Sequence, residues 1–392
     1  MLVGTRPEAI KMVPVVQAMA AAPGDFHPVL VSTGQHREML DQVLDLFGIR
    51  PALDLGIMEA RQDLFTITTK ALTGLREALG ADTLQEGGTG SPAADLVLVQ
   101  GDTTTSFAGA LAAYYLKIPV GHVEAGLRTY DKRQPFPEEV NRALITQIAD
   151  LHFAPTQVSR DNLLRAGVDA SRIEVTGNTV IDALLQVVDD GYRFDAFPEL
   201  DAFLARATED GTKVVLVTAH RRENWGAGIE SLARAIEAVL ARRPGTRFVF
   251  STHLNPLVRD HVLRLLGHED RVILTPPLPY DAFSNLMARC HLLLSDSGGV
   301  QEEAPSLGKP VLLLRRVTER PEGVDAGTVR VVGTDEGVVV AEVLRLLHDE
   351  AAYAAMASIA NPYGDGRAAV RITEAILRHR DALPSYVRPP LS

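Results

Sequence analysis

Three carboxylates stand just beyond short apolar runs. Asp102 closes Val97-Leu98-Val99-Gln100-Gly101, Glu124 closes Pro119-Val120-Gly121-His122-Val123, and Glu138 lies in Pro135-Phe136-Pro137-Glu138-Glu139, a turn that opens a helix. If the runs are neighbouring parallel strands, Asp102 and Glu124 emerge on one sheet edge. Converging acids are costly there unless they titrate or meet cations, which is how general acids and bases are made. Plainer roles stay open: Asp102 as the cap of a helix after Thr103, and Glu138 as a charge complementing a helix dipole.

A second group of residues suits phosphate. Leu292-Leu293-Leu294-Ser295-Asp296 runs into Ser297-Gly298-Gly299 and then a helix through Glu303. The first N–H groups of such a helix lack carbonyl partners and carry its positive end, and glycines let a phosphate approach the backbone. Glu303, almost two turns in, is placed to accept from ribose hydroxyls. The alternative is an ordinary turn capped by Ser297. Gly4-Thr5-Arg6-Pro7-Glu8-Ala9-Ile10-Lys11 also follows a strand, and Arg6 offers a phosphate a forked cation where Lys11 offers a point charge. His220, after Val214 to Ala219, is a candidate phosphate donor or proton shuttle. His253, His261 and His268 lack companions at zinc spacing, and no Gly-x-Gly-x-x-Gly or P-loop lysine motif follows a strand.

These groups need strands to aim them. Val97 to Val99, Pro119 to Val123, Leu151 to Ala154, Val214 to Ala219, Phe248 to Ser251, Val272 to Leu274, Leu292 to Leu294 and Val311 to Leu314 are strand-like, with helical periodicity between them. That alternation predicts parallel sheets covered by helices, an α/β fold of doubly wound domains. A length of 392 residues allows two such domains. The charged, Pro/Gly-bearing stretch from about Asp189 to Gly211 suggests a boundary, and Met1 to Val3 makes an unusually short first strand. Glu86 to Pro92 reads as a surface loop, Ala368 to Arg380 as a final helix, and Pro384 to Ser392 as a loosely ordered tail.

With 39 basic and 50 acidic residues the net charge is -11, the opposite of a phosphate-backbone binder, so nucleic acid and anionic membrane are disfavoured as partners. A single cysteine, Cys290, sits in an apolar stretch and reads as a buried thiol. No secretion signal and no apolar run of about eighteen residues is visible. A cytoplasmic protein is the expectation.

Gly4 to Lys11, Gln100 to Thr103, His122 to Arg128, Pro135 to Asn141, His220 to Asn224 and Ser295 to Pro310 together resemble the bacterial UDP-N-acetylglucosamine 2-epimerases, in order and spacing over nearly the whole chain. The resemblance implies the two-Rossmann-domain GT-B architecture. Residues 1–185 would form the first domain, completed by 366–392, and 186–365 the second, with the nucleotide sugar in the interdomain cleft. It implies interconversion of UDP-GlcNAc and UDP-ManNAc through elimination of UDP to 2-acetamidoglucal and its re-addition. By position, Asp102, Glu124 and Glu138 become the acid/base groups, with Arg6, Lys11 and His220 holding the diphosphate. Ser297, Gly298 and Gly299 take the phosphates, Glu303 takes the ribose, and Arg320 adds a cation. The uracil falls to Pro277 to Phe283, where Leu278 replaces a Gln common in the family. No cofactor or metal is implied; a homodimer is. Gln35, Arg61, Glu138, Arg221 and His253 match a second, activating UDP-GlcNAc site of the nonhydrolysing members, with Glu38 where some relatives have Gln. A hydrolysing epimerase, a GT-B glycosyltransferase and a noncatalytic UDP-sugar sensor are the alternatives.

Overall fold

The computed structural model describes residues 1–34, 37–59, 63–80, 94–221, 224–252 and 256–383. The chain divides into two compact units: Met1–Ala183 with Tyr363–Ser392, and Leu184–Pro362. In the first, the elements run β1 (Leu2–Val3), α1 (Arg6–Ala20), β2 (Val31–Ser32), α2 (Arg37–Leu46), β3 (Leu53–Asp54), α3 (Leu64–Gly80), β4 (Val97–Gln100), α4 (Thr104–Tyr115), β5 (Val120–Val123), α5 (Glu138–Ile148), β6 (Leu151–Ala154), α6 (Gln157–Arg165), β7 (Ile173–Val175) and α7 (Thr179–Val187), within which the division falls. The second carries α8 (Pro198–Glu209), β8 (Lys213–Thr218), α9 (Ala227–Arg242), β9 (Thr246–Ser251), α10 (Pro256–Leu266), β10 (Val272–Thr275), α11 (Tyr280–Arg289), β11 (Leu292–Ser295), α12 (Gly298–Glu303), β12 (Val311–Leu313), α13 (Pro321–Ala326), β13 (Val329–Val331), α14 (Glu336–His348) and α15 (Glu350–Ala357). The last helix, α16 (Ala368–His379), returns to the first unit. There it packs on α1, and Asp182 of α7 accepts its opening N–H groups from Ala368 and Ala369 at 3.1 and 2.8 Å.

All ladders are parallel. The second unit has one six-stranded sheet, β10-β9-β8-β11-β12-β13, in which the first strand of the unit lies beside its fourth. This is the doubly wound order whose reversal, here between β8 and β11, opens a crevice at the carboxyl ends of the strands. Alternate residues of β8 explain the layering: Val215 and Val217 pack with α9 and α14, while Val214 and Leu216 pack with α8 and α11. The central strands β8, β9, β11 and β12 are buried on both faces and so read as continuous apolar runs. In the first unit β1-β2-β3 and β4-β5-β6-β7 form two sheets, with β1 packed beside β4 and α4. Gly4 is required where they meet, because a Cβ there would collide with the hydroxyls of Thr33 and Thr105.

At each strand-order reversal a buried carboxylate ties two loops together. In the first unit Glu8 accepts from Gly4 N (3.0 Å), Thr5 N (2.8 Å) and the Thr5 hydroxyl after β1, and from the Thr103 and Ser106 hydroxyls (2.6 and 2.8 Å) after β4. Burial raises its carboxyl above the usual range. In the second unit Asp296, fully buried after β11, accepts from His220 N (3.0 Å), Arg221 N (2.9 Å) and Asn224 Nδ2 (2.8 Å) after β8.

Several sequence expectations are refined. The stretch from Asp189 to Gly211 lies within the second unit and forms α8, whose Leu200, Phe203, Leu204 and Ala207 join its core. Strands β2, β3, β7 and β13 are two or three residues long and left no readable run in the sequence. Cys290 is buried, its thiol pushed up to about 12 by burial. The loop at Glu86 to Pro92 and the tail from Pro384 lie outside the described residues. No described helix is long and apolar enough to cross a membrane.

Burial holds three histidines low: His122 and His291 at about 4, His152 at about 3, against a usual 6.5. Between those values the unfolded chain binds more protons than the folded one, so these groups remove stability as pH falls from about 6.5 toward 4. Glu8 and Asp182, raised by burial, act in the opposite sense at the acidic end. Melting temperature should drop as pH is lowered through that window. His291→Phe, which keeps a ring against Tyr353 (centroids 4.1 Å apart) and gives up the bond to Leu346 O, should show a shallower drop. A wild-type melting temperature that does not fall, or an unchanged slope in the variant, would contradict this account.

Candidate active site

The carboxyl ends of β4 and β5 carry the acid group of the first unit. Glu124 leaves β5 with φ +63°, a left-handed turn that costs a side-chain-bearing residue about 1–2 kcal/mol. The turn puts its carboxylate under three nitrogen donors: Lys11 Nζ at 2.5 Å, Asn178 Nδ2 at 2.9 Å, and Gln100 Nε2. Gly101, just before Asp102, is also left-handed at φ +67°, a conformation that favours glycine.

Asp102 does not cap α4. Thr103 does, accepting from Ser106 N at 3.0 Å. Asp102 is instead clamped by α5: Arg142 Nε donates to its Oδ2 at 2.7 Å and Asn141 Nδ2 to its backbone carbonyl at 2.8 Å. Arg142 also reaches buried Glu139, which accepts from Thr129 N and Tyr130 N and anchors the loop before the helix. Glu138 opens the same helix. Its Oε2 is buried with no hydrogen-bond partner among the described residues, a costly state that a ligand hydroxyl or amide would relieve. Asp102 and Glu138 are thus joined through α5, and Asp102 and Glu124 through adjacent strands, with Lys11 on the same rim.

Arg6 is the first residue of α1, directly after Thr5, and is half-buried. Lys11 pairs with Glu124 at 2.5 Å, which places its ammonium on the acid rim.

In the second unit, Asp296 fixes the main chain of His220 and Arg221 beside the turn Ser297-Gly298-Gly299, so the two loops flanking the β8/β11 reversal are held together. Ser297 begins α12 without a side-chain cap bond, so the plain capping role is not the one it plays. A Cβ on Gly298 would sit 2.7 Å from Arg320 Nη1, so a side chain there would displace that guanidinium. Arg320 lies over this turn but is matched, its Nε donating to Glu302 at 2.5 Å and its Nη1 to Glu319 at 2.7 Å. Glu319 also binds Arg315 at 2.7 Å and faces Arg221 at 3.5 Å. Burial works to raise its carboxyl, but Arg320 and Arg315 outweigh burial and hold it at about 2. Among the described residues Arg320, Arg315 and Arg221 thus face the carboxylates of Glu302 and Glu319.

Glu303 ends α12, buried, its Oε1 accepting from Tyr280 at 2.9 Å and its Oε2 3.3 Å from a Cβ position on Gly299. Phe283 is half-buried against the core of the unit. Leu278 is buried in that core, so its side chain serves packing. Gln35, Arg61 and His253 lie outside the described residues, as does the side chain of Glu38. Sequence reading missed Gln100, Arg142, Asn178, Glu302 and Glu319. Arg142 had a local signal, one helical turn beyond Glu138, whereas Asn178 reaches Glu124 across 54 residues and had none.

The profile of the UDP-N-acetylglucosamine 2-epimerase family matches residues 17–377. The UDP-N-acetylglucosamine 2-epimerase of Escherichia coli K12 is 52% identical over 380 residues, covering 97% of this chain and 98% of that one. The UDP-GlcNAc 2-epimerase of Neisseria meningitidis, solved bound to UDP-GlcNAc, superposes with a TM-score of 0.82 at 45% identity, over 96% of this chain and 98% of that one. An S. aureus protein, MnaA, solved with UDP, superposes with a TM-score of 0.84 at 42% identity, over 100% of this chain and 98% of that one. The chain belongs to the UDP-N-acetylglucosamine 2-epimerase family.

Proposed function

We propose that the chain interconverts UDP-GlcNAc and UDP-ManNAc by reversible elimination of UDP, the nonhydrolysing reaction. The observation that carries this reading is the acid rim: Glu124 under three nitrogen donors, Asp102 clamped by Arg142, and Glu138 with a buried oxygen that has no partner among the described residues. A simple sugar transferase that needs only a nucleotide site has no use for three such acids.

The sugar's C2 hydrogen lies beside no carbonyl, so removing it alone would leave an unstabilised carbanion. Breaking the C1–O bond together with the C2–H bond forms the neutral glycal and lets UDP carry off the electron pair. Re-addition of UDP at C1, with a proton delivered to the other face of C2, gives the epimer. The step needs a base and an acid at the sugar and stabilisation of the leaving diphosphate. Asp102, Glu124 and Glu138 are assigned the proton transfers. Arg6, Lys11, His220 and Arg320 are assigned the charge on the diphosphate, Ser297, Gly298 and Gly299 its oxygens, Glu303 the ribose and Phe283 the base. Lys11, paired with Glu124, links the two tasks, since charge moving on the sugar changes what its ammonium faces.

Further parts of the reading are a second UDP-GlcNAc acting as activator at Gln35, Glu38, Arg61, Glu138, Arg221 and His253, a homodimer, and a cytoplasmic setting. Exposed Val140 and Leu144, one turn apart on α5, support the dimer, and the lone buried Cys290 suits a reducing compartment.

Proton NMR of the protein with UDP-GlcNAc and no acceptor should show UDP-ManNAc appearing, with deuterium at C2 in heavy water. Free ManNAc as the main product would make it a hydrolase, and an unchanged sugar would remove epimerisation. Asp102→Asn should keep UDP affinity within about twofold while turnover falls about a hundredfold or more, as expected for loss of a proton-transfer group. Unaltered turnover would take Asp102 out of the mechanism. Velocity should rise sigmoidally with UDP-GlcNAc, and pure UDP-ManNAc should react poorly until UDP-GlcNAc is added. Hyperbolic kinetics with unassisted reverse reaction would exclude an obligatory activator.

A further inference from the structure

We propose that His122 is a positioning residue for the reaction, fixing the peptide from which Asp102 projects. The inference rests on Asp102 acting at the sugar. His122 lies within β5, between Val99 of β4 and His152 of β6 in register, and its ring is fully buried. Nε2 lies 2.7 Å from the carbonyl oxygen of Gly101. A carbonyl can only accept, so Nε2 carries the hydrogen and Nδ1 is the bare nitrogen. Nδ1 has no partner among the described residues. The ring is therefore retained in the core for one bond, at the expense of an unsatisfied buried atom.

That bond acts one peptide away from the chemistry. Gly101 N donates to Val123 O at 2.9 Å, so both polar groups of Gly101 are held by β5. The peptide plane shared by Gly101 C=O and Asp102 N–H is rigid, so holding the oxygen sets the direction in which Asp102 leaves the strand. Asn141 then fixes the next carbonyl, and Arg142 fixes the side chain. An aliphatic residue at 122, like its neighbours Val120 and Val123, would leave the Gly101 oxygen without this donor. Burial, with Arg128 nearby, holds the ring at about 4, so it stays neutral and the bond persists across the working range.

The test uses His122→Phe, which fills the space without a donor, and His122→Gln, whose amide can donate. The Phe variant should lose about tenfold to a hundredfold in kcat, the scale of a misplaced catalytic group, with KM for UDP-GlcNAc and UDP affinity within about twofold. The Gln variant should recover most of the loss. Added to Asp102→Asn, the Phe change should lower kcat no further, because the two act as one unit. Nitrogen-15 NMR of the wild-type ring should show the Nε2–H form, without titration above about pH 5; this readout stands even if a variant folds poorly. Full kcat in the Phe variant, parallel loss of UDP binding, failure of Gln to restore turnover, additive losses or an Nδ1–H ring would each overturn the proposal. If Asp102→Asn is itself fully active, the reading of Asp102 fails instead.

Discussion

A buried carboxylate at each reversal of strand order is the constraint from which the site geometry follows. Loops after neighbouring parallel strands have no ladder to hold them, since the backbone hydrogen bonds of the sheet stop at the strand ends. Glu8 and Asp296 replace that ladder: one accepts five donors from the loops after β1 and β4, and the other gathers the main chain of His220 and Arg221 with the Asn224 amide. Burying a carboxylate alone would be prohibitive, whereas each charge-assisted hydrogen bond returns about 1.5–3 kcal/mol. The arrangement is therefore stable only when its partners are in place, which makes the loops rigid together. Glu139 repeats the device with Thr129, Tyr130 and Arg142.

The same economy governs the charges at the strand ends of each unit. The chain is acidic by 11 charges, yet the carboxylates at these strand ends are not part of a diffuse negative surface. Glu124 has Lys11, Asp102 has Arg142, and Glu319 lies among Arg221, Arg315 and Arg320. The cations near the Ser297-Gly298-Gly299 turn have internal counter-charges in Glu302 and Glu319. Nearly balanced groups held by fixed hydrogen bonds need little rearrangement when charge moves during a reaction.

Much of the fold was legible in the sequence because strands buried on both faces must be continuous apolar runs. β4, β5, β6, β8, β9, β10, β11 and β12 all announced themselves that way. β2, β3, β7 and β13 did not, being too short for their period to show against their surroundings. The acids at 102, 124 and 138 were found because strand-end and helix-start positions can be read locally. Their partners were harder: Arg142 lies on the helix that Glu138 opens, but Gln100, Asn178 and Glu319 are chemically ordinary residues whose meaning comes only from what they touch.

By itself the sequence determined the alternation of strand and helix, the acids and cations at the strand ends, and the resemblance carried by the ordered motifs. These are properties of residue type and spacing along the chain. Tertiary structure alone decided that Thr103 rather than Asp102 caps α4, that Leu278 belongs to the core, that Arg320 is matched by Glu302 and Glu319, and that His122 holds the carbonyl before Asp102. Each of those depends on a side chain's direction, and the contacts of Asn141, Arg142 and Asn178 join residues 39, 40 and 54 positions apart, separations that only packing can close.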